Sequence, residues 1–290
     1  MMRIHFLYLC LAFCLPGFAA EVVYTKADSL RVVELLSKGA AVQQGTNLPL
    51  FYAHQLENVP YVAATLEKNK TEKLVVNLYE LDCTTLVETV VALTLTTVHG
   101  SQKWSDYLEW LEKVRYRGGH RDGYASRNHY FSQWIDSNEE LKLVCEQHAT
   151  PSGNFFPFTK TQKLDLHYMS QHPNSYPMLN GSDALQKEIR CYEEASSGKV
   201  VRYIPSSLVG RDKQTLKYVQ DGDILAIVTS KDGLDVCHLG LAEWGKDGKL
   251  HLFNASSIHK KVVYEPMTLQ QYMSQHPTQL GIRVIRINGK

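Results

Sequence analysis

Three residues far apart in the chain, Cys83, His238 and Asn254, have the types and the order that nucleophilic amide chemistry needs. The thiolate is the reactive form of cysteine, and a free thiol of pKa ~8.5 is only a few per cent ionised at neutral pH, so a catalytic cysteine needs local help. Cys83 follows Asp82 at the junction between LVVNLYEL (74–81), which reads as a strand, and TTLVETVVALTLTTV (84–98), which reads as a helix. A helix N-terminus presents unpaired N–H groups and the positive end of the macrodipole. Both are expected to lower the cysteine pKa, and the same donors suit the oxyanion of an acyl-transfer intermediate. His238, in the strand-like VCHLGLA, is the candidate base. Asn254, in LHLFNASS, is 254 − 238 = 16 residues further on. That is room for two adjacent antiparallel strands, from which a carboxamide oxygen can orient the imidazole and set its tautomer.

Each member alone has a plainer reading, a buried structural thiol for Cys83 and a satisfied strand histidine for His238. A zinc site from Cys83, Cys237 and His238 is disfavoured. Strand neighbours are expected to point to opposite faces, and no Cys-x-x-Cys pair exists. No metal or cofactor is expected.

The elements around these residues divide into two blocks. Helical periodicity covers 26–39, 84–98, 104–116 and 183–197, with a loop-rich stretch of aromatics and histidines at 117–163. After Lys199 come short apolar runs at 200–204, 223–229, 236–244, 250–255, 261–265 and 281–287, separated by Gly-Asp and Lys-Asp-Gly turn signals. Helices followed by a strand meander indicate an α+β unit over 21–290, with a helical and loop insertion at about 100–197. The hexapeptide YMSQHP occurs at 168–173 and 272–277 without matching flanks, so it is read as two helix ends before a proline and not as a domain repeat.

Residues 1–20 have Arg3, an apolar run, then Pro16, Gly17 and Ala19-Ala20, the pattern of an export leader. Leu9 and Phe13 precede the two leader cysteines, which argues against a lipidated N-terminus. The reading is an exported, periplasmic protein. Lys plus Arg is 31 and Asp plus Glu is 30; losing Arg3 leaves 30 against 30, which gives no basis for attraction to nucleic acid or anionic lipid. No later segment approaches the ~20 apolar residues of a membrane span. Four cysteines, Cys83, Cys145, Cys191 and Cys237, remain beyond the leader. Export permits disulfides; a Cys145–Cys191 bridge is left open.

PYVAATLE (60–67), NLYELDCTTLVE (77–88), DGDILAIV (221–228), VCHLGLA (236–242) and LFNASS (252–257) resemble the NlpC/P60 cysteine amidases. More closely, they are similar to the peptidoglycan amidase family catalogued as domain of unknown function 1460. The resemblance implies a papain-like core, with the nucleophile helix packed on an antiparallel sheet. It implies Cys83 as nucleophile, His238 as base and Asn254 as the orienting residue, where many NlpC/P60 members have histidine. Tyr61 matches a tyrosine of the substrate and oxyanion region, to which Asp82 is also assigned. The implied reaction is hydrolysis of the amide between an N-acetylmuramic sugar, expected to be the 1,6-anhydro form, and L-Ala of the stem peptide in muropeptides. The alternatives are a γ-D-glutamyl-diamino acid endopeptidase on the same fold and a non-catalytic wall-binding module. The protein is expected to be a monomer. In GYASRNHYFSQW (123–134), Arg127 is a candidate partner for a stem-peptide carboxylate, and His129 and Tyr130 are candidate walls for a sugar ring. A helix start with core aromatics and a solvated arginine is the competing reading of that segment.

Overall fold

The structure is a computed structural model that describes residues 22–148 and 156–289. The expected leader, and part of the TPSGNFFPFT stretch, lie outside the described residues. In chain order the elements are β1 (Val22–Val23), α1 (Lys26–Ala41), α2 (Leu48–Gln55), β2 (Leu74–Val75), α3 (Cys83–Val98), α4 (Trp104–Arg115) and α5 (Phe131–Glu140). Then follow β3 (Val144–Glu146), β4 (Lys160–Lys163), α6 (Tyr168–Gln171) and α7 (Asp183–Ser196). The last block is β5 (Val200–Pro205), β6 (Ile224–Thr229), β7 (Val236–Trp244), β8 (Leu250–Ser256), β9 (Lys261–Tyr264), α8 (Leu269–Ser274) and β10 (Gln279–Ile287).

The main sheet runs β4-β5-β10-β6-β7-β8-β9 with every pair antiparallel, and β3 also pairs with β10. The fold is α+β. Alternation sends the two sides of each strand into two cores. Ile224, Ala226, Phe253 and Ala255 pack with α1–α4, whereas Leu225, Ile227, Leu250 and Leu252 pack with Leu269, Tyr272 and Met273 on the opposite face. A sheet covered on both faces needs apolar residues at nearly every position, so these strands show as continuous runs. A third cluster, with Tyr124, Tyr130, Met169 and Ile189, is built largely from the stretch between α4 and β5 and includes Val201 of β5.

Helix α3 lies at the centre of the first core, with Thr85 through Thr96 all buried. Its β-branched residues are poor helix formers, but burial on all sides overrides propensity. Asp82 caps it: Oδ1 accepts from Thr85 N at 2.8 Å, and Thr85 Oγ1 accepts from Asp82 N at 2.9 Å. The buried Arg115 guanidinium then ties α4 to α3 through Glu88, at 2.7 Å, and also reaches the Val75 carbonyl at 2.7 Å.

Several elements differ from the expectations. The strand expected over 74–81 is only Leu74–Val75. Asn77 Oδ1 accepts from both Tyr79 N and Glu80 N at 2.9 Å, and this side-chain turn ends the strand. Helix α5 arises inside the loop-rich stretch; its buried Asn138 amide donates to Val114 O and Trp134 O, at 3.0 and 2.8 Å. Cys237 and His238 do not simply alternate, because the β6–β7 register slips between Ile227↔His238 and Val228↔Val236, which makes Cys237 a bulge. Cys237 packs toward the second core, while Leu239 and Leu241 belong to the first. Cys145 and Cys191 are both exposed and unbridged. No helix among the described residues is long and apolar enough to cross a membrane.

Candidate active site

The N-terminus of α3 packs on β7, and this brings the half-buried Cys83 beside the strand that carries His238. The thiol lies close enough to the backbone of Leu239, the residue after His238, and to Thr84 for both to pull its pKa down. His238 Nε2 lies 3.0 Å from Asn254 Oδ1 on the neighbouring strand β8. Donation of Nε2–H to that oxygen leaves Nδ1 with the lone pair. The ring of Tyr272, from α8, lies 6.2 Å from the imidazole.

The electrostatics reverse one expectation. The Cys83 pKa is pushed up to about 12, first by burial and then by the Asp82 carboxylate, and these outweigh the opposing pull of Leu239 and Thr84. The His238 pKa is pushed down, mainly by burial; the bond to Asn254 opposes this, His276 adds to it and the Glu265 carboxylate opposes it. Both shifts favour the uncharged forms, thiol at Cys83 and imidazole at His238. A helix N-terminus favours thiolate only where it outweighs desolvation, and here it does not.

Tyr61 lies near Cys83 and Asp82. Its pKa is raised, mainly by burial, and the Asp82 carboxylate adds to this. It is anchored by Tyr61 N donating to Lys260 O at 3.0 Å, and its neighbour Val62 N donates to Leu81 O at 3.1 Å. Asp82 lines the adjoining cavity, although its Oδ1 is committed to the helix cap.

Arg127, His129 and Tyr130 line the same cavity, of about 200 Å³, but their polar ends point into the protein. The Arg127 guanidinium pairs with Glu67 and lies 3.7 Å from Glu72, and the residue is only 5% exposed. Two carboxylates already occupy it, so a stem-peptide carboxylate would have to displace them. This differs from the role expected of it. His129 Nε2 bonds Tyr124 O at 2.8 Å, and Tyr130 Oη donates to Glu193 Oε1 at 2.5 Å. Among the described residues no group of three or more His, Cys, Asp or Glu could hold a metal ion.

The model of the AmiA-like family, described as N-acetylmuramoyl-L-alanine amidase-like, matches residues 52–282, the span that holds Tyr61, Cys83, His238 and Asn254. The chain belongs to this family. An N-acetylmuramoyl-L-alanine amidase from Bacteroides uniformis is 37% identical over 87% of this chain and 99% of its own, with a TM-score of 0.76. A Bacteroides fragilis protein provisionally named a xylanase is 39% identical over 82% of this chain and 100% of its own, with a TM-score of 0.75. A Legionella pneumophila protein assigned to domain of unknown function 1460 shares the fold at 20% identity, covering 90% of this chain and 94% of its own, with a TM-score of 0.66. No curated protein matches the sequence.

Two residues near this candidate site are not signalled by the sequence. Tyr272 belongs to the second YMSQHP copy. In that copy His276 Nδ1 meets Tyr272 O at 2.7 Å with the rings 4.6 Å apart; in the first copy His172 meets Tyr168 O at 2.8 Å with the rings 4.3 Å apart. The shared hexapeptide thus builds the same local helix end twice, and only the second copy reaches His238. The other is Asn128, which also lines the cavity; its flanking residues drew notice as charged or aromatic, and a lone asparagine carries no such signal.

Proposed function

We propose that this chain is an exported cysteine hydrolase that cleaves the amide between the lactyl group of an N-acetylmuramic sugar, in its 1,6-anhydro form, and L-Ala of a peptidoglycan stem peptide. The core is taken as papain-like, of the NlpC/P60 type, acting as one catalytic unit with 100–197 as its insertion and needing no cofactor. The observation that carries the reading is the fixing of His238 by Asn254 at 3.0 Å on β7, the strand against which α3, with Cys83 at its start, packs. Family membership supplies the substrate class.

Both groups start neutral. His238 takes the Cys83 proton as sulfur attacks the carbonyl carbon, so charge develops only when a substrate is in place. Backbone donors at the start of α3, with Tyr61 beside them, stabilise the oxyanion. The tetrahedral species collapses, the C–N bond breaks, and the imidazolium gives its proton to the leaving L-Ala nitrogen. Water, deprotonated by the same imidazole, then adds to the thioester; the sugar acid leaves and the thiol is restored. The bond to Asn254 strengthens while the ring is charged.

A glycosidase needs two available carboxyl groups about the scissile bond. Here Asp82 caps α3, Glu67 pairs with Arg127 and Glu88 with Arg115, which disfavours that chemistry.

Mass spectrometry of products from defined muropeptides tests the proposal, with Cys83→Ala as control. An intact stem peptide plus the free sugar acid is expected from the native chain and nothing from the variant. A released L-Ala-γ-D-Glu-bearing fragment would identify a γ-D-glutamyl-diamino acid endopeptidase. No product from either protein would leave a wall-binding module. Because the resting thiol is protonated, slow alkylation is expected of a catalytic Cys83 too, and product analysis decides between these readings.

A further inference from the structure

The cavity beside Cys83 is lined by a carboxamide with neither of its polar atoms partnered; Glu67, on the same wall, lacks a partner at Oε2 alone. Asn128 is 6% exposed, lines this cavity with Asp82 and Thr84, and has both Nδ2 and Oδ1 without a hydrogen-bond partner. Its three neighbours in the chain are satisfied: Arg127 by Glu67, His129 by Tyr124 O and Tyr130 by Glu193. The backbone leaves Asn128 little freedom, since its N–H donates to Arg115 O at 3.0 Å and Arg127 bridges Tyr116 in a short antiparallel pair. A buried carboxamide with neither bond made is a cost to the fold, because its desolvation is not repaid. Leaving such a cost at a cavity wall is the mark of a site prepared for a ligand.

Both halves of the carboxamide are open, which specifies the ligand chemistry. It takes one donor and one acceptor side by side. The N–H and C=O that flank a single α-carbon point to the same edge of an extended chain, the arrangement by which one residue exchanges both bonds with its partner in an antiparallel sheet. We propose that Asn128 is a specificity-determining residue that pairs with the N–H and C=O of one stem-peptide residue beyond L-Ala, bound extended along the cavity. This rests on the substrate class proposed above. An amino sugar offers a related pair, its acetamido N–H and a ring hydroxyl, and the test separates the two sources.

Affinities are measured by calorimetry in a Cys83→Ala background, which binds without turnover. The probes are N-acetylmuramoyl-L-alanine, N-acetylmuramoyl-L-alanyl-D-isoglutamine, and the second without the sugar's acetyl group. Adding Asn128→Ala is expected to weaken the two dipeptide probes about tenfold, the equivalent of two ordinary hydrogen bonds, and to leave the single-residue probe unchanged. Asn128→Asp, the same shape without the donor, is expected to behave alike. Tm should hold or rise, since the substitution to Ala removes an unpaired polar group and breaks no protein hydrogen bond. Equal loss on both acetylated probes with recovery of none by the peptide would overturn the peptide assignment, as would loss confined to probes with the acetyl group. No loss on any probe, or a lowered Tm with uniform loss, would overturn the binding role. If the native chain fails to hydrolyse these probes while binding still follows Asn128, the proposed reaction fails and this contact stands.

Discussion

Asn254 meets His238 across a diagonal of the β7–β8 ladder, not straight across it. Leu241 faces Phe253, so by register Gly240 faces Asn254 and His238 lies two residues further along its strand. The carboxamide still closes to 3.0 Å from Nε2, because diagonal neighbours are within reach of side chains of this length. Replacing Asn254 with Ala is expected to lower kcat about ten- to a hundredfold with KM nearly unchanged, since a bond to a group charged in the transition state is worth ~1.5–3 kcal/mol. Steady-state kinetics on a muropeptide checks this; a kcat within twofold of the parent would remove Asn254 from the mechanism.

The same diagonal requires Gly240. A Cβ there would lie 2.7 Å from the Phe253 carbonyl oxygen and 2.7 Å from Leu252 Cδ1, and backbone cannot yield as a side chain can. Gly240→Ala is expected to cost ~1–3 kcal/mol by overpacking and to lower kcat beyond that loss by widening the His238–Asn254 pair. Gly281→Ala, which would press on Ile204 O between β10 and β5, is the comparison: stability should fall while kcat of the remaining folded protein holds.

The neutral resting pair gives a distinct pH profile. With the His238 pKa below the ordinary imidazole value of 6.5 and the Cys83 pKa at about 12, kcat/KM should rise on a limb below 6.5 and stay level through pH 9. A preformed thiolate–imidazolium pair would instead lose activity as its imidazolium deprotonates above neutrality, so a fall between pH 8 and 9 would sink the neutral pair.

Stability should depend on pH through buried histidines. His129 is held well below 6.5 by burial and then by the Arg127 charge, and His238 is also lowered. Below pH 6.5 the unfolded chain takes up protons on these rings that the folded chain does not. Their contribution is therefore complete above the unfolded pKa and lost as pH falls below it. Urea unfolding at pH 7 and pH 5 should show a lower midpoint at pH 5, with a smaller difference in His129→Gln.

Arg127 is expected to act through the fold. Arg127→Met leaves Glu67 and Glu72 facing each other without their cation, and removing one partner of a buried pair costs ~3–5 kcal/mol. Glu72 already has a raised pKa through burial, so adding Glu72→Gln should recover part of the loss in urea unfolding. A variant of parental stability with weakened muropeptide binding would return Arg127 to the substrate.

What the sequence determined by itself was local or periodic. Helix α1, with Thr25 and Asp28 in its capping box, helix α3 after Asp82, and the runs that became β5 to β10 all follow from patterns within a few residues, which neighbouring backbone and alternation impose directly. The order Cys83, His238, Asn254 could be read in the same way. Tertiary structure decided what depends on distant atoms. Asn77 ended a strand that apolar residues alone would have prolonged, and α5 is tied to α4 by Asn138, which donates to Val114 O. The sign of the Cys83 shift turned on desolvation by the sheet beneath it, and the fate of Arg127 on Glu67, 60 residues earlier in the chain. Hydrogen bonds within a turn are encoded next to one another, whereas burial and charge pairing sum over every group the fold brings near, and no window of sequence contains that sum.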